Sequence, residues 1–545
     1  MKVAIAQLDP TVGDFPGNVG KAEGILKEAR RKGVKLVVFP ELYLLGYPPR
    51  DLLLRPDFLR EAEKAFARFR RVSRGLSVVV GHILLGGEVE ANRADPSAQA
   101  FGTGRALYNT AFLLDDGEIV GYQAKGRLPS FDVFEEERYF TPAREVRLLD
   151  WRGLRLGISV CEDFWYREGV IAEQIGAGAD LLVNVSASPY FRGKPTIRWG
   201  LGRDWVRRGR VPLIYANLVG GQDEIIFDGN SFVLRPDGAF LLRAPAFVEG
   251  LFVCDLAGEP VKEPAEAGIE DIHAALVLGI RDYFRKNGLK GAVIGISGGI
   301  DSAVVSSLAV EALGRERVRL VFLPGPYTSE LSREGASAVA RALGITLDVV
   351  PIGGIVSELA ELLSHHIDTV GVVAENIQAR VRGLILMAFA NATGYAVLCP
   401  GNKAEIAMGY NTLYGDTVGA LAPIGDLLKE EVYELARYIN RRAGKEIIPA
   451  FVQERPPSAE LRPDQTDEQD IPPYRILDPL LRELLVHNVP LGKLEADFGA
   501  EVVREVLRRL RRSEYKRKQL PPVLKVSPKA FGIGRRYPLT NLFEG

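Results

Sequence analysis

The stretch AVIGISGGIDSAVV at residues 292–305 decides the fold of the second half of the chain. Its apolar beginning predicts a β-strand, its end predicts a helix from Ala303, and the glycines in between predict a tight turn. The backbone N–H groups of Gly298 and Gly299 in such a turn can bind phosphate oxygens, and the N terminus of the following helix adds positive potential. The stretch therefore predicts a strand, a phosphate-binding turn and a helix.

Three side chains of this turn add to the same chemistry. The hydroxyl groups of Ser297 and Ser302 can donate to phosphate oxygens, and the carboxylate of Asp301 is explained if it binds Mg²⁺ on the phosphates. The alternative is an ordinary glycine-rich turn between a strand and a helix. Two other nucleotide-binding loops are excluded, because the sequence has neither the GxxxxGK[ST] of a P-loop nor the GxGxxG of a dinucleotide-binding turn.

Strand-like and helix-like segments alternate after this turn. The apolar runs VRLVFLP, LDVVPI and YAVLCP are typical of buried strands, and helical patterns lie near 332–343 and over 375–392. Because this rhythm is the pattern of crossover connections, it predicts a doubly wound parallel sheet.

The string SGGIDS is similar to the PP-loop of the N-type ATP pyrophosphatases, which split ATP between its α- and β-phosphates and adenylate a substrate. This resemblance implies an adenine nucleotide α-hydrolase-like fold. It also implies that ATP is a co-substrate. The implied ATP contacts in the loop are Gly295, Ile296, Ser297, Gly298, Gly299, Ile300, Asp301 and Ser302.

Further motifs point to the substrate. They are ENIQAR (375–380), PGNKAEIAMGYNTLYGD (400–416), API-x-DLLK (422–429), PPSAELRPDQTDE (456–468) and SEYKRKQ (513–519). Together they closely resemble the NAD⁺ synthetase family over residues 270–540. The resemblance implies that the chain binds deamido-NAD⁺, the nicotinic acid adenine dinucleotide.

The same resemblance implies roles for single residues of these motifs. Lys429 is expected to contact an ATP phosphate, and Asn376, Arg380, Glu405 and Lys516 are expected to contact deamido-NAD⁺. Asp301 and Glu405 are expected to bind Mg²⁺. Pro400 stands at an ATP-binding position where the family commonly has Thr or Ser, so a hydroxyl contact is expected to be missing. Lys516 also has a simpler interpretation as a solvated basic helix end.

The first half of the chain has a different strand pattern. Short β-rich runs alternate with helical stretches over about 250 residues, and two of the strand pairs carry Asp-Gly turns, at 116–117 and 237–238. Asp-Gly is a strong hairpin signal. Hairpins combined with crossovers predict a mixed sheet in this half.

Three polar residues stand at predicted strand ends in this half. Cys161 follows the apolar strand LRLGISV, Glu41 ends KLVVFP, and Lys125 ends the second strand of the first hairpin. A carboxylate can take a thiol proton, and an ammonium can stabilise a thiolate and an oxyanion. A cysteine–histidine catalytic pair has few candidate histidines, because the chain contains only five His. Taken singly, Cys161 can also be read as an inert buried thiol and the other two as solvated charges.

FPE at 39–41, K-x-x-LP at 125–129 and Cys-Glu-Asp at 161–163 resemble the Glu-Lys-Cys triad of the nitrilase (carbon–nitrogen hydrolase) superfamily. The resemblance covers about residues 1–255 and implies a four-layer αββα sandwich. It implies that Glu41 is the general base, Lys125 the stabiliser of the oxyanion and Cys161 the nucleophile. Glu136 fits a supporting glutamate of such sites.

The implied substrate of this half is L-glutamine. NVSASPYFRGK resembles the glutamine-binding strand end of the amidase domains in NAD⁺ synthetases, which makes Ser188 and Lys194 expected glutamine contacts. Phe131 stands at a third such position, where those domains usually have Tyr. A hydroxyl contact to glutamine is therefore expected to be missing there.

The domain organisation follows from the two patterns. We predict a glutaminase domain at 1–255, a polar linker at 256–272 and an ATP-pyrophosphatase domain at 273–545. The acidic, Pro-rich stretch 454–474 is either a lid over the second site or a disordered surface insertion.

The overall composition limits the partners. The net charge of −1 gives no general case for binding nucleic acid or a membrane, and no apolar run reaches the ~20 residues of a membrane span. The beginning, MKVAIAQLDP, has no signal-peptide layout, and three Cys without a paired motif favour the cytoplasm. The family resemblance implies a homo-oligomer, possibly an octamer.

The combined expectation is a glutamine-dependent NAD⁺ synthetase, a ligase that amidates deamido-NAD⁺ with ammonia released from L-glutamine. One rival is another PP-loop amidotransferase that adenylates a nucleotide base or an aspartate carboxylate. Such relatives use a Cys-His-Glu or an N-terminal-Cys glutaminase, whereas residue 2 here is Lys and His is scarce. A rival of another class is a nucleotide-sensing module with an inactive amidase domain.

Overall fold

The structure is a computed structural model that describes residues 1–88, 105–263 and 268–543. The chain divides into two compact units. The first comprises Met1–Gln222 and Ile226–Ala267, and the second comprises Asp223–Ile225 and Gly268–Gly545. Residues 264–267 of the predicted linker and 544–545 of the predicted second domain lie outside the described residues.

Fourteen strands precede residue 256 among the described residues. They are β1 (Lys2–Gln7), β2 (Leu36–Val38), β3 (Ser77–Glu88), β4 (Arg105–Asp115), β5 (Glu118–Ala124), β6 (Leu148–Trp151), β7 (Leu154–Val160), β8 (Leu181–Ser186), β9 (Leu213–Asn217), β10 (Val219–Gln222), β11 (Ile225–Asp228), β12 (Phe232–Leu234), β13 (Phe240–Arg243) and β14 (Gly250–Asp255). In the described part of this half the helices are α1 (Phe15–Arg31), α2 (Pro56–Val72), α3 (Val170–Gly176) and α4 (Lys194–Gly209).

These strands form two six-stranded mixed sheets, with the orders β14-β1-β2-β3-β4-β5 and β13-β12-β9-β8-β7-β6, and a small β10-β11 pair. In the first sheet β1, β2 and β3 are parallel while β14, β4 and β5 join antiparallel. The second sheet has parallel β7, β8 and β9 with antiparallel partners at both sides. The predicted mixed sheet is confirmed, in two copies.

One hydrophobic core joins the two sheets face to face. Alternate residues of both contribute to it, such as Val3 and Ile5 of β1 and Ile158 and Val160 of β7. The residues between them face outward, because side chains alternate along a strand. Phe112 of β4 packs on Phe66 of α2 at 4.8 Å between ring centroids.

The outer face of the second sheet is covered in the same way. Tyr215 of β9 and Phe232 of β12 share a cluster with Trp199 and Trp205 of α4. Helices therefore cover both outer faces, and the predicted four-layer αββα sandwich is confirmed.

Both predicted hairpins are present. Asp116 and Gly117 have φ of 52° and 81° in the turn between β4 and β5, as a two-residue hairpin turn requires. Gly238 has φ of 89° between the antiparallel β12 and β13. The strands β6, β11 and β14, of four to six residues each, were not predicted.

The second half contains a four-stranded parallel sheet in the order β17-β16-β15-β18. Its strands are β15 (Ala292–Gly295), β16 (Val318–Phe322), β17 (Leu347–Val349) and β18 (Ala396–Leu398). The order reverses at β15, so the crossovers run in both directions and the predicted doubly wound sheet is confirmed.

The helices of this half are α5 (Ile269–Lys286), α6 (Ile300–Leu313), α7 (Glu330–Leu343), α8 (Gly353–Ser364), α9 (Val372–Thr393), α10 (Lys403–Met408), α11 (Lys429–Ala443), α12 (Ala450–Glu454), α13 (Tyr474–Leu485), α14 (Leu491–Phe498), α15 (Ala500–Arg512) and α16 (Glu514–Arg517). Among the described residues, none of the helices is long and apolar enough to cross a membrane.

Two helices begin earlier than the sequence pattern indicated. α6 begins at Ile300 and not at Ala303, since Gly299 has the extended conformation of an N-cap and Asp301 lies in the first turn. α5 begins at Ile269, within the predicted linker, and carries Glu270 and Asp271 in its first turn. Acidic residues stabilise a helix N terminus, which explains both starts.

Candidate active sites

Cys161 lies at the sharp turn where β7 ends. It is the first residue of a 3₁₀ turn, Cys161–Phe164, and its φ of 41° is in the left-handed region. A non-glycine residue adopts this conformation only when the surrounding structure imposes it, and such residues cluster at functional sites. The side chain is buried, with 2% exposure. The position fits a nucleophile that the fold fixes in one direction.

Glu41, Lys125 and Glu136 form a buried charge network in the same unit. Lys125 Nζ lies 2.8 Å from Glu41 Oε1 and 2.7 Å from Glu136 Oε2. Glu41 and Lys125 are completely buried, and Tyr47 donates its hydroxyl to Glu136 Oε1 at 2.8 Å. The structure brings together the three predicted triad residues and the predicted supporting glutamate.

Glu41 also has two neutral donors. The amide Nδ2 of Asn109 donates to Glu41 Oε1 at 2.7 Å, and the backbone N–H of Ala187 donates to Oε2 at 2.8 Å. Both donors hold the carboxylate in one orientation. Sequence reasoning missed Asn109 and Tyr47, since nothing in the strand β4 or in the Tyr-Pro segment indicates a long-range partner.

The pKa shifts of Cys161 and Lys125 indicate different chemical roles for these two groups. Burial raises the pKa of the Cys161 thiol, Glu41 raises it further, and Lys125 only partly opposes this. Burial lowers the pKa of Lys125, but Glu136 and Glu41 outweigh burial and keep it well above its usual value. The resting pair is therefore a thiol and an ammonium, and this lysine cannot serve as the base.

The predicted glutamine contacts are placed unequally. Ser188 is buried and follows Ala187, the donor to Glu41, so it lies beside the triad. Lys194 lies over the rings of Trp165 and Phe191. Burial raises the pKa of Glu162, next to Cys161, to about 7, and the charges of Lys125 and Lys194 only partly oppose this. Phe131 is 54% exposed, and among the described residues its ring contact is with Phe134.

The predicted phosphate-binding loop closes on itself through its serines. Ser302 Oγ accepts from the Ser297 backbone N–H at 3.1 Å and donates to Gly299 O at 3.0 Å, while Ser297 Oγ accepts from the Gly299 N–H at 3.2 Å. Gly298 has φ of 80° and approaches the backbone of Ser332. The loop is thus a compact turn at the N terminus of α6.

We expect Gly298→Ala to destabilise the second unit. A Cβ there would lie 2.2 Å from the Ser332 carbonyl oxygen, in addition to the cost of a positive φ, so the loss is about 3 kcal/mol. Thermal unfolding measures it as a lower Tm. Gly354→Ala is the matched control, because a Cβ at this helical glycine meets nothing within 4 Å. Equal Tm values for the two variants would contradict the geometry.

A second charge cluster lies beside this loop. Lys429 Nζ lies 2.6 Å from Asp301 Oδ2 and 3.5 Å from Glu405 Oε1. Asn402 donates to Asp301 Oδ1 at 3.0 Å and caps α10 together with Glu405. Burial, and then Asp301, raises the pKa of Glu405 to about 8. Asn402 was missed, although its spacing of three residues from Glu405 is a capping-box signal.

The donor set fits a magnesium ion that arrives with a nucleotide. Among the described residues there is no group of three or more His, Cys, Asp or Glu side chains that could hold a metal ion by itself. Mg²⁺ is commonly held by one or two carboxylates together with substrate phosphates. Asp301 and Glu405 supply two carboxylates, and both lie close to the ammonium group of Lys429.

A cavity of about 270 Å³ opens beside the loop. Its lining includes the expected residues Asp301, Pro400, Glu405 and Lys429. Of the loop residues 295–302, Gly298 does not line it. Ser297, Asp301 and Lys429 bring hydroxyl, carboxylate and ammonium groups to one wall.

The stretch 454–474 covers part of this cavity. Residues 457–461 line it, and Glu460 accepts from the hydroxyls of Ser329 and Ser332 at 2.6 and 2.8 Å. Arg455 donates to Ser332 Oγ at 2.8 Å. These bonds support the lid interpretation over that of a surface insertion. Arg455 and Glu460 were not singled out in the sequence.

The remaining predicted dinucleotide contacts lie elsewhere, around the loop after α10. Thr412 donates to Asn376 Oδ1 at 2.7 Å, and Arg380 donates to Leu413 O at 3.2 Å. Lys516 Nζ donates to Gly409 O and Asn411 O. Asn376, Arg380 and Lys516 are therefore brought together, but they do not line the cavity.

Known proteins resemble both halves of the chain. The family model described as carbon-nitrogen hydrolase matches residues 2–263, and that described as NAD synthase matches residues 272–520. The glutamine-dependent NAD⁺ synthetase of Thermotoga maritima is 39% identical over 596 aligned residues, which cover 100% of this chain and 99% of the relative. That of Synechocystis sp. is 39% identical, with 99% of each chain covered.

Solved structures agree with the sequence relatives. A glutamine-dependent NAD⁺ synthetase from Acinetobacter baumannii, in complex with ADP, matches with a TM-score of 0.78 and 34% identity, covering 99% of this chain and 98% of that chain. One from Cytophaga hutchinsonii matches in fold, with a TM-score of 0.84, 21% identity and coverage of 99% and 98%. Since curated relatives near 39% identity extend over the whole length, this chain belongs to the family of the glutamine-dependent NAD⁺ synthetases.

Proposed function

We propose that the chain amidates deamido-NAD⁺ to NAD⁺ with ammonia from L-glutamine, and that it converts ATP to AMP and pyrophosphate. One observation carries the proposal. One chain contains both a buried Glu41–Lys125–Cys161 set and a PP-loop with an Asp301–Lys429 pair. This chain aligns over its whole length with relatives named for this activity.

The glutaminase half starts from a neutral thiol. Cys161 Sγ attacks the glutamine carboxamide carbon while Glu41 takes the thiol proton, and a tetrahedral oxyanion forms. Lys125 stabilises this charge. Among the described residues two of its three N–H donors go to Glu41 and Glu136, so one remains for the oxyanion. Glu41 returns the proton to the amide nitrogen, which leaves as NH₃ while a thioester remains on Cys161, and water then hydrolyses the thioester to release glutamate and the thiol.

The synthetase half activates a carboxylate. The nicotinate carboxylate of deamido-NAD⁺ attacks the α-phosphate of ATP, and the bond between the α- and β-phosphates breaks. Lys429 and the N–H groups in the first turn of α6 stabilise the charge of the departing pyrophosphate. Ammonia then attacks the acyl carbon of the adenylate, and AMP leaves.

Magnesium fits this half as the proposed cofactor. Asp301 and Glu405 would hold the ion, which neutralises phosphate charge when bound. Lys429 keeps its proton, because Asp301 and Glu405 raise its pKa despite burial. The lysine therefore remains a cation for the phosphates.

The rival functions differ in what they require of the first site. A sensing module does not need a set of catalytic residues. In this chain Lys125 is buried and paired with Glu41 and Glu136, although burying these charges costs desolvation free energy. Another PP-loop amidotransferase would keep both chemistries and change the acceptor. Activity with deamido-NAD⁺, compared with a nucleotide base or aspartate as acceptor, separates this rival.

We also propose that the chain forms a homo-oligomer. Two consecutive helices, α8 and α9, and the residues between them expose Leu362, Val370, Val372 and Leu384 to between 65% and 73%. Exposed apolar residues in such density mark interaction surfaces. In the proposed oligomer a second copy of the chain covers this apolar surface.

Leu384→Glu tests this surface. We expect the charged side chain to weaken self-association and to lower the mass measured by sedimentation velocity. Leu542→Glu, at a leucine near the C terminus that is 88% exposed, should leave the mass unchanged. An unchanged oligomer in Leu384→Glu would show that this surface is not the interface.

The proposed location is the cytoplasm. All three cysteines, Cys161, Cys254 and Cys399, are free thiols. Free thiols agree with a reducing compartment.

The function is tested by incubating the chain with deamido-NAD⁺, ATP, Mg²⁺ and glutamine. We expect NAD⁺, AMP, pyrophosphate and glutamate in equal amounts. ATP cleavage with no NAD⁺ formed would exclude the proposed acceptor.

A further inference from the structure

Asp163 is a buried carboxylate that the proposed chemistry does not use. It lies in the 3₁₀ turn that begins at Cys161, and its exposure is 2%. Among the described residues the ion pairs of Lys125 are with Glu41 and Glu136, and Asp163 takes part in neither. Burying such a group is unfavourable unless hydrogen bonds compensate it.

Asp163 accepts three backbone N–H groups, all of them beside catalytic positions. Oδ1 accepts from Gly126 at 3.0 Å and from Arg127 at 2.8 Å, the two residues after Lys125. Oδ2 accepts from Val160 at 3.2 Å, the residue before Cys161. One carboxylate thus joins the backbone at the lysine to the backbone at the nucleophile.

The residue after the lysine is adapted to this contact. A Cβ at Gly126 would lie 3.2 Å from Asp163 Oδ1 and 2.9 Å from Val170 Cγ2. The backbone can approach the carboxylate this closely because glycine has no side chain. The backbone that follows Lys125 is therefore held close to the turn that begins at Cys161.

This connection matters because the two segments are far apart in sequence. Lys125 ends β5 in the first sheet and Cys161 ends β7 in the second. Catalytic groups have to be held within about 0.5 Å of their productive geometry. Besides Asp163, the packing of the two sheets and the hydrogen bond from Ala187 to Glu41 relate the ammonium to the sulfur.

We propose that Asp163 is a positioning residue that sets the distance between the Lys125 ammonium and the Cys161 sulfur during glutamine hydrolysis. The inference rests on the proposed function. It assigns no substrate contact to Asp163, which acts through the backbone of the two catalytic segments.

Asp163→Asn is the informative variant. Its Oδ1 can still accept from Gly126 and Arg127, so the side chain keeps its size and two of its three bonds. Its amide Nδ2 would face the Val160 N–H, donor against donor, at the place of a 3.2 Å bond. The variant keeps the fold and releases the nucleophile side of the connection.

Asp180→Asn is the matched control. Asp180 Oδ2 also accepts a backbone N–H from β7, that of Arg155 at 2.8 Å, but at the opposite end of the strand from Cys161. Both variants replace a carboxyl group with an amide and disturb a hydrogen bond to β7, and the Asp180 variant also weakens an ion pair with Arg155. Only Asp163→Asn disturbs the bond beside Cys161.

The test measures glutamate release, glutamine-driven NAD⁺ formation and ammonium-driven NAD⁺ formation for the wild type and both variants. For Asp163→Asn we expect kcat for glutamate release to fall about 100-fold, with little change in the KM for glutamine and an unchanged ammonium-driven rate. Asp180→Asn should match the wild type in all three.

The outcomes separate this inference from the proposed function. A wild-type chain that releases no glutamate contradicts the proposed function itself. Release by the wild type with an unchanged kcat in Asp163→Asn overturns the positioning role. A rise in KM at constant kcat, or a parallel loss of the ammonium-driven rate, also overturns it, because each is the signature of a substrate contact or of general damage.

Discussion

Cys161→Ala is expected to lose glutamine-driven NAD⁺ formation and to retain ammonium-driven formation. The variant removes the sulfur on which the charges of Glu41, Lys125 and Glu136 act, so no thioester can form there. Removing the nucleophile of such a constellation lowers the rate by about 10⁴-fold or more. The second site does not need the thiol when ammonia comes from solution.

Rates with glutamine and with ammonium chloride as nitrogen donors measure this division. Cys254→Ala is the control, because Cys254 is a half-buried thiol of β14 outside the charge network. It should keep both activities. If Cys161→Ala loses both while its Tm stays at the wild-type value, the proposed division of labour is wrong.

Asp301→Ala is expected to remove both synthetic activities. Asp301 is the partner of Lys429 at 2.6 Å and of Asn402 at 3.0 Å, and it lies in the first turn of α6 beside the phosphate-binding loop. Its loss removes one proposed magnesium ligand and leaves the Lys429 ammonium with Glu405 at 3.5 Å as its remaining acidic partner. We expect NAD⁺ formation to fall about 1,000-fold with either nitrogen donor.

Glutamate release serves as the internal readout for Asp301→Ala, since the first site is intact in this variant. Asp348→Ala is the matched control: Asp348 also pairs with a cation, Arg319 at 2.6 Å, but on β17 and outside the cavity lining. A synthetic rate within a few-fold of the wild type in Asp301→Ala would contradict the assigned site.

The positions of the proposed catalytic side chains could be predicted because each follows a strand. Glu41, Lys125 and Cys161 come directly after β2, β5 and β7 or within three residues of them, and strand ends are visible in the alternation and apolar runs of the sequence. The turn at 295–302 was equally visible, because Gly298 and Gly299 mark it locally.

The partners of these residues could not be predicted, because they are joined only by the tertiary structure. Ala187 donates its backbone N–H to Glu41 across 146 residues, and Asn402 reaches Asp301 across 101. A backbone donor carries no sequence signal at all. The bonds of Asp163 to the segment after Lys125 are of the same kind.

The dinucleotide contacts show a second limit. Asn376, Arg380 and Lys516 contact the loop 409–413 and do not themselves line the cavity, although Tyr410 and Asn411 of this loop do. Lys516 is more than a solvated helix end, because burial lowers its pKa and its ammonium donates to two backbone carbonyls. The family resemblance alone did not show which of the expected contacts line the cavity and which contact this loop.

Transfer of labelled nitrogen tests the central claim, that one chain produces ammonia from glutamine and uses it on an activated carboxylate. The chain is incubated with amide-¹⁵N glutamine, deamido-NAD⁺, ATP and Mg²⁺, and the NAD⁺ formed is analysed by mass spectrometry. The account predicts ¹⁵N in the carboxamide of NAD⁺ for the wild type and no labelled NAD⁺ for Cys161→Ala. Labelled NAD⁺ formed by Cys161→Ala at the wild-type rate would contradict it.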